Sequence, residues 1–260
     1  MVTITAKEFK EFRNLLGFTN QNDVKAFYSA KDIIRPVSFE HIEMLNARLA
    51  EIVSKLNSVV HASVRITDIQ AFTAEYIVDV YRILKENNIF PRFNNLGRPP
   101  EDVYFNWMRG NIVSHFALPA LAKIFGIAES AVSLVGDDDI AHIADFKKTP
   151  KADIEIPGHN LRLETQAGFQ SINDIKQHKV LEARRLALEK GMQTWAVHFD
   201  FYNGQAAFVQ LDTIADDDVN WVTRQQMEGQ TVFAIDQNSF VWRLTDPPPT
   251  FEKIKEQIGA

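Results

Sequence analysis

Apolar residues recur at helical spacing through the first half of the chain and change to alternation after about residue 137. Phe9, Phe12 and Leu16 share one stripe of a helix predicted over Ala6–Leu16, with Gly17 as its stop. A short helix fits Asn22–Tyr28. Ser38 is a good N-cap for a third, in which Ile42, Leu45, Leu49, Ile52, Leu56 and Val59 alternate by threes and fours. That seam suits one helix of a bundle, or a dimerisation helix. Thr67-Asp68-Ile69-Gln70 reads as a capping box for a fourth helix carrying Phe72, Tyr76, Val80 and Leu84. Residues 88–100 read as a polar, proline-stiffened loop, locally basic through Arg92 and Arg98. Pro100-Glu101-Asp102 then opens a helix that Pro119 kinks or restarts and Gly126 ends.

Beyond Asp137 the period is two. Lys151–Ile156 reads as a strand, Pro157–Asn160 as a turn, and Leu161–Gln166 as the returning strand. On that strand Leu161, Leu163 and Thr165 point one way, and Arg162, Glu164 and Gln166 the other. A helix over 174–190, capped by Asn173 or Ser171, stops at Gly191. Strands over Gln193–Tyr202 and Gln205–Leu211 flank an Asn203-Gly204 hairpin turn. A further hairpin over Gln230–Leu244 and a short final helix complete the chain. The fold class predicted is α/β (α+β), a mixed central sheet flanked by helices and preceded by a helical region.

Composition narrows the chemistry. Of the 260 residues, 45% are hydrophobic and 24% charged, as expected of a globular chain. The absence of cysteine excludes disulfides, cysteine-ligated zinc and a thiol nucleophile. The net charge of −6 argues against a nucleic-acid partner only on average, because nearly all of it lies after residue 135. Part of the acid sits in two runs, Asp137–Asp139 and Asp216–Asp218, read as solvated loops rather than as cation loops, since neither has EF-hand spacing. His142 and Asp145 after the first run suit a surface helix better than a metal site. The N-terminus has charges where a signal peptide has its apolar core, and the apolar stretch Asn111–Ala128 is interrupted by His115, Pro119 and Lys123. A cytoplasmic protein without a membrane span is the expectation. Phosphate-loop, dinucleotide, nucleophile-elbow and zinc-helix motifs are all missing.

The hairpin over 151–166 carries the remaining chemistry. It puts Asp153 and Glu164 on adjoining strands, with Gln166 two residues on. Two nearby carboxylates repel unless a cation sits between them, and oxygen ligands of this kind suit Mg²⁺. The following helix brings Lys176, His178 and Lys179, which could approach a nucleic-acid backbone.

Two resemblances follow from these residues. The segment from Lys10 to Leu45 resembles a helix-turn-helix of the Cro/repressor type through Leu15-Leu16-Gly17-Phe18-Thr19 and the Asn22–Tyr28 helix, although Tyr28-Ser29-Ala30 replaces the small-residue turn and the reading helix would be Ala30–Ile34. Pro150-Lys151-Ala152-Asp153 with Leu163-Glu164-Thr165-Gln166 resembles the PD-(D/E)XK nuclease core of type II restriction endonucleases, whose order of helix, two strands, helix and strand matches residues 101–202. The second resemblance implies a magnesium-dependent endonuclease acting on double-stranded DNA as a homodimer. Asp153, Glu164 and the Thr165 carbonyl would be metal ligands, and Gln166 would orient the attacking water where the family usually has lysine. Lys179 would be a migrated replacement for that lysine. Glu155 would stand behind the ligands or at a second metal, and Glu101 or Asp102 would supply a further acid. Gln170, Ser171, Asn173 and Lys176 would touch DNA, as would Arg92, Asn94, Asn95 and Arg98 in the basic loop. The chain then divides into a helical region (1–90) for DNA grip or dimerisation, a catalytic core (91–212), and a C-terminal hairpin and helix packed on it (213–260). The alternatives are a DNA-binding regulator with a catalytically silent C-terminal domain, and a metal-dependent hydrolase of another substrate using the acidic runs.

Overall fold

The computed structural model describes residues 5–33, 35–93, 98–134, 154–156, 158–224 and 229–259. Asp137–Asp139, His142, Asp145, Asp153, Asn94 and Asn95 lie outside the described residues.

Local signals account for most of the helices. α1 (Ala6–Leu15) begins with a capping box between Thr5 and Glu8, and α2 (Gln21–Tyr28) is capped by the Asn20 side chain. Ser38 caps α3 (Phe39–Val59), which buries Ile42, Leu49 and Val53 and leaves Val59 exposed, so it serves as a bundle helix. The fourth helix, α4 (Ile69–Thr73), is capped by Asp68 rather than by a Thr67 box, because the Asp68 carboxylate accepts from the Ala71 amide at 2.9 Å. It passes through a π-helical turn, Ala74–Asp79, into α5 (Val80–Glu86). The stretch read as a polar loop contains a 3-10 turn, Phe90–Phe93, whose two phenylalanines are fully buried. Their burial outweighs the turn-forming prolines around them. α6 (Pro100–Phe116) and α7 (Leu118–Phe125) are separated at Ala117, and Gly126 ends α7 in the left-handed region at φ +64°. No described helix is long and apolar enough to cross a membrane.

The helix-turn-helix resemblance loses its reading helix. Ala30 adopts φ +54°, and residues 31–33 are turn and bend. A left-handed residue at this point breaks the helical ladder.

The remaining strands and helices are β1 (Ser133–Leu134), β2 (Ile154–Ile156), β3 (Leu161–Gly168), β4 (Asp174–Lys176), α8 (Gln177–Lys190), β5 (Gln193–Asp200), β6 (Gln205–Gln210), β7 (Val222–Arg224), β8 (Gln230–Ala234), β9 (Phe240–Arg243) and α9 (Phe251–Ile258). The main sheet is mixed, in the order β1-β2-β3-β5-β6-β9, and a small sheet has the order β4-β8-β7. β3 runs antiparallel to β2 and parallel to β5, with α8 in the crossover. Parallel neighbours need such a crossover, and it places a helix against one sheet face.

Two expectations are corrected here. The helix expected from 174 starts at Gln177, because Asp174–Lys176 pair with β8 instead. The expected 230–244 hairpin does not form. β8 joins the small sheet while β9 pairs with β6, and the 3-10 turn Gln237–Ser239 separates them.

Strand alternation divides the core. Leu161, Leu163, Trp195, Val197 and Phe199 pack with α3, α6 and α7 in the larger cluster. Ala196 and Ala207 meet Val180 and Ala183 of α8 on the opposite face, together with Ile175 and Phe233 of the small sheet.

Candidate functional site

The face of β3 read as polar is covered rather than solvated. Glu164 is 5% exposed. Its Oε1 accepts a charged hydrogen bond from Lys179 Nζ at 2.6 Å, and both side chains are largely buried. Alternation puts Glu164 on the α8 face of β3, and Lys179 lies in the first turn of α8 just before the buried Val180. Thr165 points the other way, and its Oγ1 is 2.7 Å from Ser114 Oγ of α6. The Glu-Thr-Gln step is thus held between two helices, with the acid toward one and the hydroxyl toward the other.

Gln166 is half-buried on the same face as Glu164, and its partner in the parallel ladder is His198. Glu155 lies across the β2–β3 ladder from Arg162 and pairs with it at 3.2 Å. Asp153 is the residue before Ile154, whose ladder partner is Leu163.

Beside these residues lies a polar network that the sequence reading missed. Asp200 is fully buried. It accepts hydrogen bonds from the Asn203 backbone amide at 3.1 Å, Asn203 Nδ2 at 2.7 Å, Asn173 Nδ2 at 3.1 Å and Gln205 Nε2 at 3.3 Å. Burial alone would raise its carboxyl, but the bonds from Asn203, Asn173 and Gln205 together hold it below the usual range. Because Asn173 Nδ2 donates to a carboxylate, Asn173 Oδ1 is the acceptor for His198 Nε2 at 2.8 Å. The imidazole proton therefore sits on Nε2, leaving Nδ1 as a buried acceptor with no hydrogen-bond partner among the described residues. Desolvation lowers His198 to about 4, against the opposing pull of Asp200 and Asp174. A signal for the network exists in the alternation: Ala196, His198 and Asp200 occupy the face of β5 opposite Trp195, Val197 and Phe199.

Asn173 was expected to cap a helix or to face DNA. Its side chain turns inward because two buried groups need it. Gly168 makes room for this arrangement. A Cβ there would lie 2.8 Å from Asn173 Oδ1, 3.0 Å from His198 Nε2 and 3.1 Å from the Ile172 carbonyl oxygen. The Ile172 oxygen is backbone and cannot swing away. Gly168→Ala is therefore expected to destabilise the protein by about 1–3 kcal/mol, read as a lower urea midpoint at unchanged slope.

The other expected residues are scattered. Glu101 is buried at the start of α6, where it accepts from the Ser38 amide and ties α6 to α3. At 1.5 Å per residue it lies about 20 Å along α6 from Ser114, the residue that touches Thr165, so neither it nor the exposed Asp102 joins Glu164. Arg92 is exposed on the 3-10 turn, and Arg98 is half-buried ahead of α6. Gln170 and Ser171 are exposed in the turn after β3, with Ser171 at φ +58° accepting from Asn203 Nδ2. Lys176 ends β4 next to α8. The Asp216–Asp218 run is solvated, with Asp216 paired to Arg184 and Asp218 accepting from the Ala215 amide.

Among the described residues no group of three or more His, Cys, Asp or Glu side chains could hold a metal ion. Of the expected ligands, Glu164 and Thr165 are described, and the Glu164 carboxylate is bonded to Lys179. Mg²⁺ keeps several waters and takes only one or two protein carboxylates, a demand that Glu164 together with the expected ligand Asp153 would meet. No protein-family model, no curated protein and no solved structure matches this chain.

Proposed function

We propose that this chain is a magnesium-dependent type II restriction endonuclease that hydrolyses phosphodiester bonds in double-stranded DNA at a short site in the cytoplasm. The observation that carries the reading is the 2.6 Å contact between Lys179 Nζ and Glu164 Oε1. It supplies an ammonium group beside the acidic strand whose own third position is the neutral Gln166. A desolvated ion pair is weak evidence for stability, since apolar residues of similar volume do as well or better. It is what a site needs that must gather negative charge around a phosphate.

The residues divide the work. Asp153, Glu164 and the Thr165 carbonyl would hold Mg²⁺. When bound, the ion polarises the phosphodiester and lowers the pKa of water. Gln166 can orient the attacking water with its carboxamide but cannot take its proton. Lys179 stabilises negative charge developing on the phosphate oxygens. Water adds to phosphorus, the bond to the 3′ oxygen breaks, and a 5′-phosphate and a 3′-hydroxyl remain. Arg92, Arg98, Gln170, Ser171 and Lys176 are the described candidates for backbone and groove contacts.

The test is incubation of unmethylated and methylated plasmid and phage DNA with the purified protein and Mg²⁺. Discrete fragments are expected, and an intact substrate in every case overturns the proposal. Lys179→Met should lower the single-turnover cleavage rate by about 10²–10³-fold, the size of effect seen when one charge-stabilising donor is removed.

A further inference from the structure

We propose that residues 5–33 form a docking arm for a second copy of this chain, with α1 packing against α1 of the partner in parallel. α1 and α2 contain no buried residue. Phe9, Phe12, Leu15, Leu16, Phe27 and Tyr28 each expose between 41% and 86% of their surface. Phe18 and Phe27 meet with ring centroids 5.3 Å apart, which joins the two helices into one apolar surface. Helices of ten and eight residues are marginal in water unless an apolar face is packed. Both have well-formed caps, so their ends are built to be helical while their faces lack a partner within the described chain.

Charge selects the occupant. Residues 5–33 carry five Lys or Arg and four Asp or Glu, so the arm is close to neutral. A nucleic acid calls for a basic face, and a membrane surface for a polar face rich in Lys and Arg. Neither matches. The distribution on α1 does match another α1. At 100° per residue, Lys10 and Arg13 flank the Phe9–Phe12–Leu16 stripe on one side, and Glu8 and Glu11 flank it on the other. In a parallel pair related by a two-fold axis, the right flank of one helix faces the left flank of its partner, so basic meets acidic twice. An antiparallel pair would set like against like.

The area is sufficient. Six side chains exposing on the order of 100 Å² each give roughly 1,200 Å² over two copies, the lower bound of a standard stable interface. The inference does not rest on the nuclease reading, although a two-fold would present two sites to two DNA strands.

Sedimentation of the full chain tests it. Wild type should sediment as a dimer at micromolar concentration. Phe12→Glu should be monomeric and should match the thermal midpoint of wild type diluted to the monomer, since α1 contains no buried residue. Lys10→Glu/Arg13→Glu should raise the dimer dissociation constant about tenfold or more. Mixing it with Glu11→Lys should restore association in part, because the Lys10–Arg13 flank of that variant then meets the Glu8–Glu11 flank of the other. A monomeric wild type overturns the proposal, as does a dimer indifferent to both substitutions. Monomer that cosediments with anionic vesicles or with DNA through this arm also overturns it.

Discussion

On the proposed nuclease function, Glu164→Gln is expected to reduce magnesium-dependent DNA cleavage by about 10³-fold or more. The substitution keeps the shape of the side chain but removes the negative charge, and with it one of the few carboxylates that a water-rich magnesium site uses. It also removes the carboxylate charge that faces Lys179 in a largely buried setting. Removing one member of a buried pair typically costs about 3–5 kcal/mol, so Glu164→Gln should be less stable as well as inactive. Lys179→Met added to Glu164→Gln separates the two effects. The double variant should regain part of the lost stability in urea unfolding, because both members of the 2.6 Å pair are then uncharged, and should stay inactive. A double variant that recovers cleavage would show that Glu164 matters only as the counter-ion of Lys179.

Acidification provides the second large effect. The folded protein holds His198 neutral down to about pH 4, whereas an unfolded histidine takes up its proton near 6.5. Between those values the unfolded state binds more protons, and stability therefore rises with pH there. Lowering the pH from about 6.5 to about 4 should remove on the order of 3 kcal/mol through this group alone. His198→Gln keeps a donor for Asn173 Oδ1 and has no titration in this range. Its urea stability should fall less steeply over the same interval, though it starts lower at pH 7. Asp200 acts in a different window: its depressed carboxyl contributes stability above the unfolded value of about 4, lost as the pH falls further. Parallel slopes for wild type and His198→Gln between pH 6.5 and 4.5 would falsify the assignment.

Much of the fold is legible in local chemistry. Ser38, Gly126, Gly191 and the Asn203-Gly204 turn mark their boundaries because caps, left-handed stops and hairpin turns depend on a few adjacent residues. The mixed α+β class follows from the change of period. Residues 174–176 and the segment 230–244 misled, because a strand there depends on whether a remote segment offers free backbone groups. The prolines and asparagines around Phe90 and Phe93 are a local signal for a loop, whereas the core these residues fill comes from α6, α3 and α5.

The candidate site divides the same way. By itself the sequence determined that Glu164 and Gln166 share one side of a strand and Thr165 the other, since side chains alternate along an extended backbone. It also placed Lys179 in the helix that follows. Only the tertiary structure decided that the side bearing Glu164 is covered rather than solvated. It alone set Lys179 against Glu164, turned Asn173 inward to Asp200 and His198, and left Glu101 at the far end of α6. Alternation is a property of each strand, but which face is buried depends on where the crossover helix packs, and that is settled by apolar contacts among segments distant in the chain.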